Sequence, residues 1–196
     1  MPSSSVPPPP PLPRPTVSSA NQRSAPTPPS VPPNGPAGAL LLELLTANGY
    51  PFKDHWSYFL GSRGNADVGV VVHATGDVAH GFRLEAKRAF DLGGPGNAPN
   101  KRTPLQWLDA RHFDEQAMLN HGVLAFDAEP VGAWEESVHK VRAPGKTLNT
   151  VGEEGAPGKK VTQKNCQSWI VESAEQLVAD GMLSPDVAAY LRALEQ

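Results

Sequence analysis

The chain has 196 residues, a formal net charge of −3 at pH 7 and 39% hydrophobic residues. A slightly acidic chain lacks the basic footprint of nucleic-acid binding, so we expect no nucleic-acid partner. No apolar run reaches the roughly 18 residues of a membrane span and no secretory signal is visible, so we expect no integral membrane segment. The single cysteine excludes an internal disulfide. Together these features predict a cytoplasmic protein in a reducing compartment.

The N-terminal segment differs from the rest in composition, because 14 of the 22 prolines lie between Pro2 and Pro36. Such a segment cannot bury enough apolar surface to offset the entropy of ordering. We therefore predict a disordered tail at 1–36 and one α+β domain at 37–196. Pro7–Pro13 favours polyproline II, which an SH3- or profilin-like partner would bind. A solvated tail without a partner is the alternative.

The domain begins with an apolar stretch and a predicted hairpin. Leu40–Leu45 fits a helix or a buried strand by periodicity, and its leucines favour a helix. His55–Leu60 is rich in aromatic residues and Val68–Val72 in valine, so both are predicted to be strands. Gly61–Asn65 between them has the composition of a turn.

The predicted hairpin brings two histidines to one side of the sheet. If its turn is centred near Gly64, residues whose numbers sum to about 128 face each other, as His55 and His73 do. Strand alternation then puts residues 55, 57 and 59 on one face and residues 56, 58 and 60 on the other.

The middle of the domain has weaker signals. Leu105–Leu119 receives no assignment. We predict a strand at Phe82–Leu92, a loop at Gly93–Pro104, a short strand at Val123–Phe126, a helix at Val131–Val141 and a long loop at Pro144–Lys160.

Two helices complete the chain. The first begins at Cys166 and ends before Gly181, because its apolar residues follow helical spacing: Trp169, Ile170, Ala174, Leu177 and Val178. Ser184 and Pro185 form a cap and a helix start, so a second helix is predicted at Pro185–Leu194.

Cys166, His55 and His73 are candidates for thiol chemistry. Free N–H groups in the first helical turn would lower the pKa of Cys166 below its ordinary value of about 8.5. A nearby imidazole would then hold the thiolate and transfer its proton. The structural alternative is that all three residues are ordinary core or strand-end residues. A zinc site needs more ligands than this spacing offers, so we expect no metal and no cofactor.

Three motifs occur in a fixed order: His55-Trp56, Val72-His73 and Asn165-Cys166-Gln167-Ser168-Trp169. They resemble the lecithin:retinol acyltransferase family, especially its H-Ras-like suppressor branch, and also the PPPDE peptidases. The resemblance spans Leu40 to Leu183. It implies a circularly permuted papain-like (NlpC-type) fold, with a small antiparallel sheet packed on the helix that bears the nucleophile. It also implies a strand, not a helix, at Leu40–Leu45.

The resemblance assigns a role to each motif residue. Cys166 would be the nucleophile, His55 the general base and His73 the residue that orients His55. Asn165 and Gln167 would support the site or simply begin the helix. The implied enzyme is a hydrolase or acyltransferase that forms an acyl-thioenzyme from an ester, thioester or amide. Its substrate would be a small acyl compound or a peptide conjugate. The alternatives are a catalytically inactive binding or adaptor module of this fold and a PPPDE-type isopeptidase.

Overall fold

The computed structural model describes residues 25–146 and 163–196. The predicted disordered tail lies outside these residues as far as residue 24. The proline-rich segment Pro7–Pro13, for which an SH3- or profilin-like partner is expected, therefore also lies outside the described residues. The predicted loop at 144–160 lies outside them from residue 147. In the described ranges, no helix is long and apolar enough to cross a membrane.

A six-stranded sheet forms the centre of the fold, and every pair of neighbouring strands is antiparallel. The α+β prediction is therefore confirmed. The spatial order is β5-β1-β2-β3-β4-β6. The strands are β1 (Leu40–Ala47), β2 (His55–Gly61), β3 (Val68–Asp77), β4 (Gly81–Asp91), β5 (Lys101–Leu108) and β6 (Ala125–Asp127).

The helices are short except for the two at the C-terminal end. They are α1 (Glu115–Met118), α2 (Gly132–His139), α3 (Cys166–Ala179) and α4 (Pro185–Leu194), with 3-10 turns at Ala110–His112 and Asn120–Gly122. The Asn165 side chain caps α3 by accepting hydrogen bonds from two backbone N–H groups of its first turn. Gly181 follows α3 with a φ of +71°, so the predicted helix end is confirmed.

β1 is a strand although its leucines favour a helix. It pairs with β2 on one side and β5 on the other, so it is an internal strand. Leu42 and Leu44 are buried on one face and Leu45 on the opposite face. A strand covered on both faces has a nearly continuous apolar sequence, and this tertiary burial outweighs intrinsic propensity.

The loop predicted at Gly93–Pro104 is too long, because its last four residues belong to β5. The strand begins at Lys101 and pairs with β1 across an irregularity, with Pro104 opposite Glu43. Proline lacks the N–H of a ladder and is tolerated on an edge strand, which β5 is. The proline therefore suggested a loop where an edge strand occurs.

The sheet has a different apolar cluster on each face. The larger cluster contains Trp56, Tyr58 and Leu60 together with residues of α3 and α4. The Tyr58 hydroxyl donates to the Ile170 carbonyl oxygen at 2.9 Å and so ties β2 to α3. The smaller cluster, on the opposite face, contains Leu45, Phe59, Val71 and Leu92. The predicted division of β2 into two faces is therefore confirmed.

The predicted β2–β3 register is wrong by two residues. Tyr58 pairs with Val72 and Leu60 with Val70, so facing numbers sum to 130. His55 therefore lies diagonal to His73 and not directly opposite it. An even shift preserves the face of every side chain, so both histidines still lie on the same side.

A β-bulge in β4 changes which side chains face the smaller cluster. Val71 pairs with Lys87 but Gly69 pairs with Phe90, so β4 has one extra residue there. Ala89 has a φ of +46°, a left-handed conformation that is rare for alanine. The extra residue turns Phe90 to the same face as Lys87.

Arg88 secures this bulge from the other side of the sheet. Its side chain is 2% exposed and donates to both carboxylate oxygens of Glu135, at 2.9 Å each. It also donates to Asp127 at 2.7 Å. Arg88 thereby joins β4 to α2 and β6. Because its charge is buried, the loss of an acidic partner leaves that charge uncompensated and destabilises the fold.

We expect Glu135→Ala to lower the free energy of unfolding by about 3 kcal/mol or more, because it leaves Arg88 buried with too little negative charge. Urea unfolding measures this loss. The matched control is Glu136→Ala, since Glu136 is the exposed neighbour on the same helix. We expect the control to change stability by less than about 0.5 kcal/mol. Equal, small effects of the two substitutions would contradict the proposed role of Arg88.

Candidate functional site

Three polar side chains on adjacent strands form a hydrogen-bonded chain. His55 Nε2 on β2 lies 2.7 Å from His73 Nδ1 on β3. His73 Nε2 lies 3.2 Å from a carboxylate oxygen of Glu85 on β4. The register brings these groups together, because His73 pairs directly with Glu85. His73 is buried and His55 half-buried.

The carboxylate fixes the proton positions along this chain. An ionised carboxylate only accepts, so His73 donates from Nε2 to Glu85. A neutral imidazole then accepts at Nδ1, so His55 donates to His73 from Nε2. This arrangement leaves the lone pair on Nδ1 of His55. No hydrogen bond to that atom occurs in the described part of the chain.

Burial keeps both imidazoles neutral near pH 7. For His55, burial and then the positive charge of Lys87 lower the pKa below its ordinary value. For His73, burial lowers the pKa to about 4, with further contributions from His55 and Lys87 that exceed the opposing effect of Glu85. A neutral His55 can act as a hydrogen-bond acceptor or a base.

The two histidines line a cavity of about 250 Å³ on the face of the smaller cluster. We call this cavity the histidine pocket. Ser57 and Lys87 add polar groups beside the imidazoles. Apolar residues of the strands form most of the remaining wall: Leu45, Ala47, Val71 and Phe90. The segment after β4 completes it with Leu92, Gly96, Asn97, Ala98 and Pro99.

Cys166 lies on the opposite face of the sheet from this pocket. It is 7% exposed and belongs to the larger cluster with Trp56 and Tyr58. The backbone N–H of Trp56 donates to its sulfur. No hydrogen bond joins Cys166 to His55 or His73 among the residues that the structure describes. The structure thus brings the two histidines together and leaves the thiol apart from them.

The expected acidic thiol is wrong. Burial raises the pKa of Cys166 above its ordinary value. The N–H groups of Trp56, Gln167 and Cys166 itself act in the opposite direction but do not overcome burial. Position in the first turn of a helix therefore does not suffice to activate this cysteine.

The two supporting candidates have structural contacts. Asn165 is the cap of α3, with its side-chain oxygen accepting from Gln167 N at 2.9 Å. Gln167 is fully buried, and its side-chain amide donates to the Asp54 carbonyl oxygen at 2.8 Å. Asn165 therefore stabilises the first turn of α3, and Gln167 holds that turn against the chain segment that precedes β2.

The sequence interpretation missed Ser57, Glu85 and Lys87. All three lie in predicted strands, and Glu85 and Lys87 alternate there with apolar residues. The alternation was visible, but the face and the strand partner depend on the β3–β4 register. No group of three or more metal-ligating side chains that could hold an ion occurs within residues 25–146 and 163–196.

The fold and the pocket define an α+β protein with a hydrogen-bonded histidine pair on the face of the sheet that α3 does not cover. Residues 42–184 match a family of unknown function (DUF6540), and the chain belongs to that family. The match includes both histidines, Glu85, Lys87 and Cys166. No curated protein and no solved structure matches the chain.

We expect the stability of the protein to fall as the pH drops, because folding favours neutral His73. Its pKa is about 4 in the folded state and about 6.5 when unfolded. The stabilisation is therefore complete above pH 6.5 and is lost as the pH falls toward 4. Between pH 7.5 and pH 5, the wild type should lose about 2 kcal/mol more than His73→Gln.

Urea unfolding at the two pH values measures this difference. The control is His80→Gln, because the His80 side chain is 86% exposed. The control should keep the wild-type dependence on pH. A wild type and a His73→Gln variant with equal pH dependence would show that His73 is not held neutral by the fold.

Proposed function

We propose that the protein is a binding module and that its ligand occupies the histidine pocket. The observation that carries this proposal is the position of the histidine pair, which lines a cavity while the thiol lies across the sheet. A cavity with an apolar wall and a few convergent polar groups is the usual form of a small-molecule site. Perturbed pKa values in such a cavity also mark functional positions.

The pocket contains polar groups that the fold itself does not use. Nδ1 of His55 accepts no hydrogen bond from any residue that the structure describes. The Ser57 hydroxyl has no hydrogen bond to any other described residue. Neither atom is among the buried polar atoms that lack a partner in the described ranges, so both are accessible from the cavity. The Ser57 hydroxyl can donate to a ligand oxygen, and Nδ1 of His55 can accept from a ligand donor or take up a proton beside an anionic ligand.

A thiol hydrolase or acyltransferase is the second candidate. It is favoured by the position of Cys166 at the capped start of α3, where its sulfur accepts from Trp56, the residue next to His55 in the chain. In that reaction, His55 would take the thiol proton and the sulfur would attack an ester, thioester or amide carbonyl. The bond from the carbonyl carbon to the leaving group would break as His55 passes the proton to that group. Water or an amine would then attack the thioester, and its proton would pass through His55 to the departing sulfur.

This second candidate requires a rearrangement. The imidazole of His55 would have to turn from His73 towards the sulfur, with which it forms no hydrogen bond in the described ranges. Such a state would correspond to the permuted papain-like fold that the motifs resemble. A PPPDE-type isopeptidase would share this chemistry and differ only in its substrate.

The binding proposal is tested by screening a mixed library of neutral and charged fragments by protein NMR. We expect the shifted resonances to cluster on residues that line the pocket. Ala47→Phe adds a ring at a half-buried lining position and should abolish those shifts by filling the space. Ala133→Phe is the matched control, since Ala133 is exposed on α2, and it should leave them unchanged.

Thermal unfolding of both variants shows whether they fold. Fragments that shift only residues around Cys166, or shifts that survive in a folded Ala47→Phe variant, would contradict the proposed pocket.

A further inference from the structure

Among the described residues that line the histidine pocket, Lys87 is the one fully charged side chain. The strand register places it on the same face as Val71, its partner on β3. Lys87 is half-buried, and its ammonium group lies 5.3 Å from the centre of the Phe90 ring. The bulge at Ala89 creates this pair, because without the extra residue Phe90 would face the larger cluster.

Lys87 has no acidic side chain within ion-pair distance in the described ranges, although it interacts electrostatically with the nearby carboxylate of Glu85. It forms no ion pair there, and no residue lining the pocket is acidic. Glu85, the nearby carboxylate, is already bound to His73 at 3.2 Å and Arg83 at 3.3 Å. A half-buried ammonium group that lines a cavity and forms no direct ion pair with a described residue is complementary to an anion.

The rest of the pocket limits the shape of such an anion. Leu45, Val71 and Leu92 belong to the smaller apolar cluster and supply an apolar wall. The Ser57 hydroxyl can donate to a second oxygen of the ligand. The cavity of about 250 Å³ lies below the 300–1,000 Å³ or so of drug-sized sites, which restricts the ligand to a small molecule.

We propose that the histidine pocket binds a small organic carboxylate with a short apolar body, and that Lys87 pairs with the carboxylate. The apolar body contacts the smaller cluster, while the carboxylate lies between Lys87 and Ser57. This inference rests on the proposed binding function and specifies the chemical class of the ligand.

The test uses six fragments in two matched sets. One set is benzoate, benzamide and benzylamine, and the other is hexanoate, hexanamide and hexylamine. Within each set the body is constant and only the charge changes. Binding is followed by NMR titration of the full-length protein at pH 7.5. We expect each carboxylate to bind at least about tenfold more tightly than its amide.

Two lysine variants identify the group that recognises the charge. Lys87→Met keeps an apolar stem but removes the ammonium group, so it should reduce carboxylate affinity to that of the amide. Lys101→Met is the matched control, because Lys101 is exposed on β5 and does not line the pocket. The control should keep the wild-type preference. Thermal unfolding confirms that each variant is folded.

The outcomes separate this inference from the proposed function. Equal or preferential binding of the amides or amines in the pocket would overturn the carboxylate inference and leave the binding module standing. A carboxylate preference that persists in a folded Lys87→Met variant would overturn the role of Lys87. If none of the six fragments shifts a pocket resonance, both the inference and the proposed binding site are rejected.

Discussion

The alternation of side chains along β2 is the constraint on which the rest of the molecule depends. Trp56 and Tyr58 face α3 and complete the larger apolar cluster, while His55 and Phe59 face the other way. Because both faces are covered, β2 cannot slip by one residue without exchanging an apolar core for a polar pocket. The same alternation puts Cys166 and the imidazoles on different sides of the sheet, so fold stability and site geometry have one origin.

The second face becomes a site through the irregularity in β4. The extra residue at Ala89 brings Phe90 beside Lys87, and Arg88 binds Glu135 on the opposite side. A left-handed alanine costs about 1–3 kcal/mol and persists only where the surrounding structure fixes it, as the Arg88–Glu135 contact does here. Strain of this kind is often found where a strand re-aims side chains for a function. The bulge is therefore best understood together with the pocket and not as a defect of pairing.

The sequence was sufficient to predict much of this fold. The aromatic and valine-rich strands, the face of each histidine and the start of α3 at Cys166 follow from local periodicity and capping. Three features needed long-range information. The register depends on turn geometry, the edge strand β5 contains a misleading proline, and the pKa of Cys166 depends on how deeply α3 packs. The positions of Lys87 and Glu85 also needed long-range information, because a bulge and a strand pairing determine which side chains these two residues contact.

The most direct test of the separation between thiol and imidazoles is the pH dependence of Cys166 alkylation by iodoacetamide. Cys166 is the only cysteine, so the reaction reports one site. Because burial raises its pKa, we expect slow alkylation near pH 7, much slower than in the urea-unfolded chain, and equal rates in the wild type, His55→Ala and the control His80→Ala. Rapid alkylation well below pH 8 that slows about tenfold or more in His55→Ala alone would contradict the separation and favour the thiol enzyme.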